Sequence, residues 1–226
     1  MSDDVHDPVY LLPTVSIDAD HPAVVSFARE TVAGATAATD KAIALFYGVR
    51  DGIRYTPYGV DLSPGAMRAS ATLEAGEGFC IPKALLLTAS ARAVGVPARL
   101  GFADVRNHLA SQRLLELLGD NDVFAWHAFS EFGLDGRWVK ATPAFDMGLC
   151  ERFDVVPLEF DGVHDALFHP YDAAGRRHME YLAERGSYAD LPLDEIRRDF
   201  EEMYPKWMGV EGDLHAEAAA ERTDER

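Results

Sequence analysis

An α+β fold is what this sequence predicts, and three observations predict it. The run Cys80–Val94 (CIPKALLLTASARAV) reads as a helix whose only charge between Cys80 and Arg92 is Lys83. A helix apolar on nearly every side is buried within a domain. After it, Asp135-Gly136 separates the runs Val123–Leu134 and Arg137–Thr142, which are rich in aromatic and β-branched residues. That is a strong hairpin signal. Before both, Ala42, Ile43, Leu45, Phe46 and Val49 recur at helical spacing. A buried helix packed on an antiparallel hairpin follows, without a fixed strand order.

The elements are expected in this order. A short helix runs from Asp20-His21-Pro22 to Val32, with Asp20 as cap and Pro22 early in the helix. A second spans about Thr39 to Arg50. Pro57, Gly59, Pro64 and Gly65 make 55–70 a loop. Gly76 and Gly78 break structure before the buried helix, which Gly95 stops and Pro97 cannot continue. A strand over Arg99–Val105, a polar helix around Ser111–Leu118 and the hairpin come next. Phe145 to Tyr188 reads as long loops wrapping the core, and a last helix covers Leu193–Met203.

The chain has 226 residues, 48% hydrophobic and 26% charged, which is enough for a sizeable core. Its 21 Lys+Arg against 38 Asp+Glu leave a net charge of −17. That balance argues against nucleic acid or an anionic membrane as partner, since both require a basic face. Two cysteines make neither a disulfide framework nor, alone, a thiolate zinc site. The acidic N-terminal stretch carries no signal-peptide core, and no apolar run approaches bilayer length. A cytoplasmic protein with reduced thiols is the expectation. Its organisation should be an irregular arm over 1–20, one domain over 21–210 and an acidic, disordered tail over 211–226. No internal repeat or linker divides it.

Two residues stand out chemically. Cys80 follows a Gly-rich turn and opens the buried helix, where the dipole and unpaired N–H groups favour a thiolate and can hold an oxyanion. The rival reading is a small buried core thiol. His127 lies in the first hairpin strand. With Asp135 and Gly136 as turn residues, His127 faces Ala144, Phe129 faces Thr142 and Glu131 faces Lys140. Thr142 and Asp146 then flank His127 diagonally, provided the ladder survives Pro143. A general-base imidazole needs a third group to fix its tautomer. Asp146 would act as a carboxylate, Thr142 only as a neutral hydroxyl. Glu131 and Lys140 read as a cross-strand ion pair, and a lone strand histidine can equally be structural.

These residues resemble the nucleophile region of transglutaminase-like domains. GEGFCIPKALLLTASARAVGVPARLGF is similar to that family's Gly-x-Cys, its Ala/Leu-rich helix and its Arg-Ala-x-Gly-Val-Pro-Ala-Arg block, here Arg92 to Arg99. Trp126-His127-Ala128-Phe129-Ser130-Glu131-Phe132 is similar to its His-Ala-Trp-x-Glu strand, and Gly136-Arg137-Trp138-Val139 to its Gly-x-Trp-Val. The resemblance covers about residues 39–146. It implies a papain/transglutaminase-like fold and acyl transfer through a thioester, with Cys80 as nucleophile and His127 as general base. The family's Asp position is occupied here by Thr142, and its Trp after His-Ala by Phe129. Either Asp146 takes over the orienting role or the site is weakened.

The implied substrate is a protein, peptide or small amide, with no cofactor. Two rivals remain: a catalytically impaired fold kept as a binding module, and a metal-dependent hydrolase. The latter would use His108, His164, His169 and His178 with Asp161, Asp165 or Asp172, although no spacing matches a recognised zinc pattern. Cys150 reads as a packed structural thiol. Tyr55 and Arg68 precede the nucleophile and are candidates to line a cleft.

Overall fold

The computed structural model describes residues 4–108, 110–119, 121–168, 175–176 and 178–217. The described part of the N-terminal arm packs on the body. A 3-10 turn at Pro8–Leu11 buries Tyr10, and Ile17 and Asp18 are buried after it. Helix α1 (Pro22–Thr31) has Pro22 in its first turn, but its cap is His21, whose Nδ1 accepts from the Ala23 N–H at 3.3 Å. The expected Asp20 cap is therefore displaced by one residue. Helix α2 (Ala38–Gly52) buries Ala42, Leu45, Phe46 and Val49 of the apolar stripe that its periodicity predicted and leaves Ile43 half-buried.

The stretch read as loop is more ordered than that. Strand β1 (Arg54–Tyr55) pairs in parallel with β2 (Glu77–Gly78), and helix α3 (Ala69–Ala75) lies between them. Helix α4 (Cys80–Ala93) follows at once, and every residue from Ile81 to Arg92 is buried. It packs against α1, α2 and α3 on one side and the main sheet on the other. Gly78 cannot carry a side chain easily, since a Cβ there would stand 2.8 Å from Pro82 Cβ.

The main sheet is antiparallel, in the order β5-β4-β3-β6. Strands β3 (Ala98–Asn107), β4 (Val123–Leu134) and β5 (Arg137–Ala141) were legible in the sequence, and so was the short helix α5 (Gln112–Leu117) between β3 and β4. Helix α6 (Met147–Phe153) and strand β6 (Met179–Tyr188) were not; both fall where loops were expected. Strand β6 borders β3 and alternates weakly, because several of its residues are exposed on both faces. Helix α7 (Leu193–Met203) matches its expected bounds. No helix among the described residues is long and apolar enough to cross a membrane.

The tail departs from expectation as far as it is described. Residues 211–217 lie on the body: Arg54 pairs with Asp213, Leu214 is buried, and Glu217 meets Tyr58, Ser111 and Arg113. Residues 218–226 lie outside the described residues.

Strands β3 and β4 approach closely at one point. A Cβ on Gly101 would stand 2.1 Å from Phe129 Cε2, so the Phe129 ring occupies the space a side chain would take. Gly101→Ala should therefore destabilise the protein by about 1–3 kcal/mol through overpacking. A thermal melt checks this; an unchanged midpoint would mean that the ring swings aside freely.

Candidate functional site

The site is built on the start of α4 and the middle of β4. Phe79 caps α4 through its backbone only, with no side-chain bond to the first turn. The N–H groups of that turn are thus left for other acceptors. Cys80 is half-buried there, and the N–H groups of Ala128, Ile81 and Cys80 itself face its sulfur. Burial is the stronger influence, and it pushes the thiol up to about 11 despite those N–H groups. That direction runs against the expectation that this position favours a thiolate.

His127 is placed by a break in the ladder. Ala103 pairs with His127 but Val105 pairs with Phe124, so Ala125 and Trp126 bulge opposite Asp104. Trp126 has φ 58°, a left-handed conformation costly for a bulky residue. Three contacts with charged residues hold it. Its N–H donates to Asp104 Oδ1 at 3.1 Å, and its indole N–H to Asp199 Oδ2 at 2.8 Å. Arg185 spans Asp104 and Asp199 and lies 4.7 Å from the indole centroid. On the other side of the bulge, the Ala125 N–H donates to the Tyr204 hydroxyl, which itself donates to Val123 O, each at 2.8 Å. Bulges beside sites re-aim side chains, and this one sets His127.

Cys80 and His127 line one cavity, together with Tyr55, Phe79, Tyr204 and Trp207. Trp207 is fixed by donating its indole N–H to Pro57 O at 2.7 Å. Burial pushes the His127 imidazole down to about 4, so it is neutral at rest. Its Nε2 is buried and has no hydrogen-bond partner among the described residues. Phe168 meets the ring tilted and Tyr181 edge-on, with centroids at 5.3 and 6.4 Å.

The third position is not filled as expected. Asp146 is the N-cap of α6: one oxygen accepts from the Leu149 N–H at 2.9 Å and the other from the Tyr55 N–H at 3.0 Å. His215 Nε2 lies 3.4 Å from that second oxygen. The carboxylate is thereby committed to tying α6, β1 and the C-terminal segment together, and its role as orienter of His127 is corrected. The ladder does not carry it there, because β4–β5 pairing ends at Ser130–Ala141 and the Thr142 N–H bonds to Ala166 O. His127 accordingly pairs with Ala103, not Ala144. The Thr142 hydroxyl is buried close to that of Tyr181, and neither meets hydrogen-bond geometry.

Other expectations resolve differently. Glu131 and Lys140 are opposite in register but choose other partners. Glu131 binds Arg99 and Ser187, and Lys140 binds Glu184 at 2.8 Å. Tyr55 lines the cavity, whereas Arg68 turns to Asp18. Cys150 is buried in α6, where burial pushes its thiol up to about 12. Asp161 binds His164, Asp165 accepts from the Lys140 N–H, and His108 lies near Glu180. No cluster of His, Cys, Asp and Glu among the described residues could hold a metal ion. His169 and Asp172 lie outside the described residues. The sequence reading missed Tyr181 and Phe168 beside His127, and missed the set Phe200, Tyr204 and Trp207. The spacing of that last set is helical and was its only signal.

No curated protein matches the chain. Among solved structures, it is similar to a candidate cysteine protease from Cytophaga hutchinsonii at 17% identity and a TM-score of 0.46, over 79% of this chain and 53% of that one. A candidate protease from Parabacteroides distasonis aligns at 13% identity and a TM-score of 0.36, over 56% of this chain and 25% of that one. The chain thus spans about half the length of the first and a quarter of the second. The family model described as the transglutaminase-like superfamily matches residues 25–143, more than half of the chain. This chain belongs to the transglutaminase-like superfamily.

Proposed function

We propose that the chain is a thiol enzyme that cleaves or transfers the acyl group of an amide. The observation carrying this reading is that Cys80 and His127, from α4 and β4, line the same cavity. The Cys80 sulfur attacks the amide carbon while His127 takes the thiol proton and passes it to the departing amine. The thioester then gives its acyl group to water or a second amine. Backbone N–H groups facing the sulfur, those of Cys80, Ile81 and Ala128, are the donors available to the oxyanion. Because thiol and imidazole are both neutral at rest, the proton moves only as attack proceeds.

A second reading has its own observation. With Thr142 in the third position and no carboxylate acting on His127 among the described residues, the same fold could serve as a catalytically impaired binding module for a protein or peptide. Alkylation by iodoacetamide, followed by mass spectrometry, separates the two. Cys80 should react at least about tenfold faster than Cys150, whose thiol is more deeply buried. His127→Ala should slow Cys80 at neutral pH by about a hundredfold, the scale of general-base assistance. The wild-type rate should keep climbing above pH 9, as a thiol pushed up to about 11 requires. Equal Cys80 rates with and without His127 would leave only the binding module.

A further inference from the structure

We propose that an aromatic chamber beside His127 is the substrate subsite of this thiol site, and that it takes a neutral apolar side chain, aromatic or branched. This rests on the thiol-enzyme reading above and names the substrate class for it. The chamber and the Cys80 cavity share Tyr55, Phe124 and His127, so the two spaces meet at the imidazole. A side chain seated in the chamber would hold its own amide close to the sulfur.

The lining decides the chemistry. Phe124, Phe145, Phe153, Phe168 and Leu114 stand in the wall beside Asn107, Ser111 and His178, and no Asp, Glu, Lys or Arg is among the described residues lining it. A charged side chain would lose its hydration there without a partner, which is costly. Three of the rings, Phe124, Phe145 and Phe153, are only half-buried although they face one concavity. Packed core rings would be covered, whereas these leave apolar surface for an occupant. Phe145 and Phe168 sit 4.8 Å apart, and Phe168 sits 5.3 Å from His127, so an aromatic occupant would extend an existing series of ring contacts. The free space inside the chamber is about 30 Å³, so its half-buried rings must part to admit a side chain.

The test is a series of N-acetyl aminoacyl chloromethyl ketones carrying phenylalanine, leucine, glycine, aspartate or lysine side chains. In each, the Cys80 sulfur displaces chloride, forming a C–S bond and releasing the thiol proton to solvent. The phenylalanine and leucine reagents should label Cys80 about tenfold or more faster than the aspartate and lysine ones. Phe153→Asp should turn the preference toward the lysine reagent, a gain that a misfolded chain could not show. His127-dependent labelling at equal rates across the series would overturn the subsite and leave the thiol enzyme standing. No labelling by any reagent would overturn the thiol enzyme instead. The chamber is then read without chemistry, from binding of N-acetyl-phenylalaninamide to the Cys80→Ala protein followed by NMR of its aromatic resonances. No shift at millimolar ligand would overturn the subsite as well.

Discussion

Arg99→Met should lower the unfolding free energy by about 3–5 kcal/mol, because it strands a buried carboxylate. Arg99 and Glu131 face each other across β3 and β4, with side chains 7% and 3% exposed. The guanidinium lies 4.1 Å from the Trp138 centroid, and the second Glu131 oxygen accepts from the Ser187 hydroxyl at 3.0 Å. Three strands are therefore clamped by one ion pair. Removing both charges, as Arg99→Met with Glu131→Leu, should recover much of the loss, since the desolvation cost disappears with them. Urea unfolding of the two single variants and the double variant decides it. A double variant no more stable than either single one would sink the explanation.

Lys83→Met should cost about 2–5 kcal/mol at pH 9, since it leaves two buried carbonyl oxygens without donors. Lys83 is fully buried in α4, and its Nζ donates to Arg50 O at 2.9 Å and to Ile53 O, at the end of α2. Burial pushes the amine down to about 7 from its ordinary 10.5, although Asp146 and Asp51 pull the other way. A neutral amine still has two N–H groups, one for each carbonyl. Between about pH 7 and 10.5 the unfolded chain holds more protons at this position than the folded one. Raising the pH through that window therefore stabilises the wild type, and the gain is lost as the pH falls toward 7. The stability difference between wild type and Lys83→Met should widen from pH 7 to pH 10. A flat difference would mean that the amine stays charged in the fold.

Much of this was legible in the sequence where a pattern repeats or a turn has a fixed chemistry. Helix α4 could be read because Lys83 is the only charge between Cys80 and Arg92, and the hairpin because Asp135-Gly136 specifies its turn. The Arg92–Arg99 block is also intelligible in retrospect. Arg92 donates to Ala98 O, Leu12 O and Ala189 O, while Arg99 makes the buried ion pair. Both arginines hold the frame and neither lines the cavity beside Cys80. Strand β6 escaped detection because half of it faces solvent, which erases the alternation that marks a strand. The role given to Asp146 failed for a different reason. A carboxylate three residues before a helical N–H is a cap, and that local claim prevailed over a cross-strand one. The bulge at Trp126 carries no signature that a single sequence displays, yet it decides where His127 points.

That bulge also sets a schedule for the molecule's birth. Its ties run to Tyr204, Asp199 and Arg185, about 60 to 80 residues later in the chain than Trp126 and Ala125. A chain emerging from the ribosome exposes Cys80 and the whole of β4 well before those anchors are made. Until β6 and α7 dock, only the Asp104 tie is in place to hold the left-handed Trp126. The nascent protein thus carries a thiol without its partner.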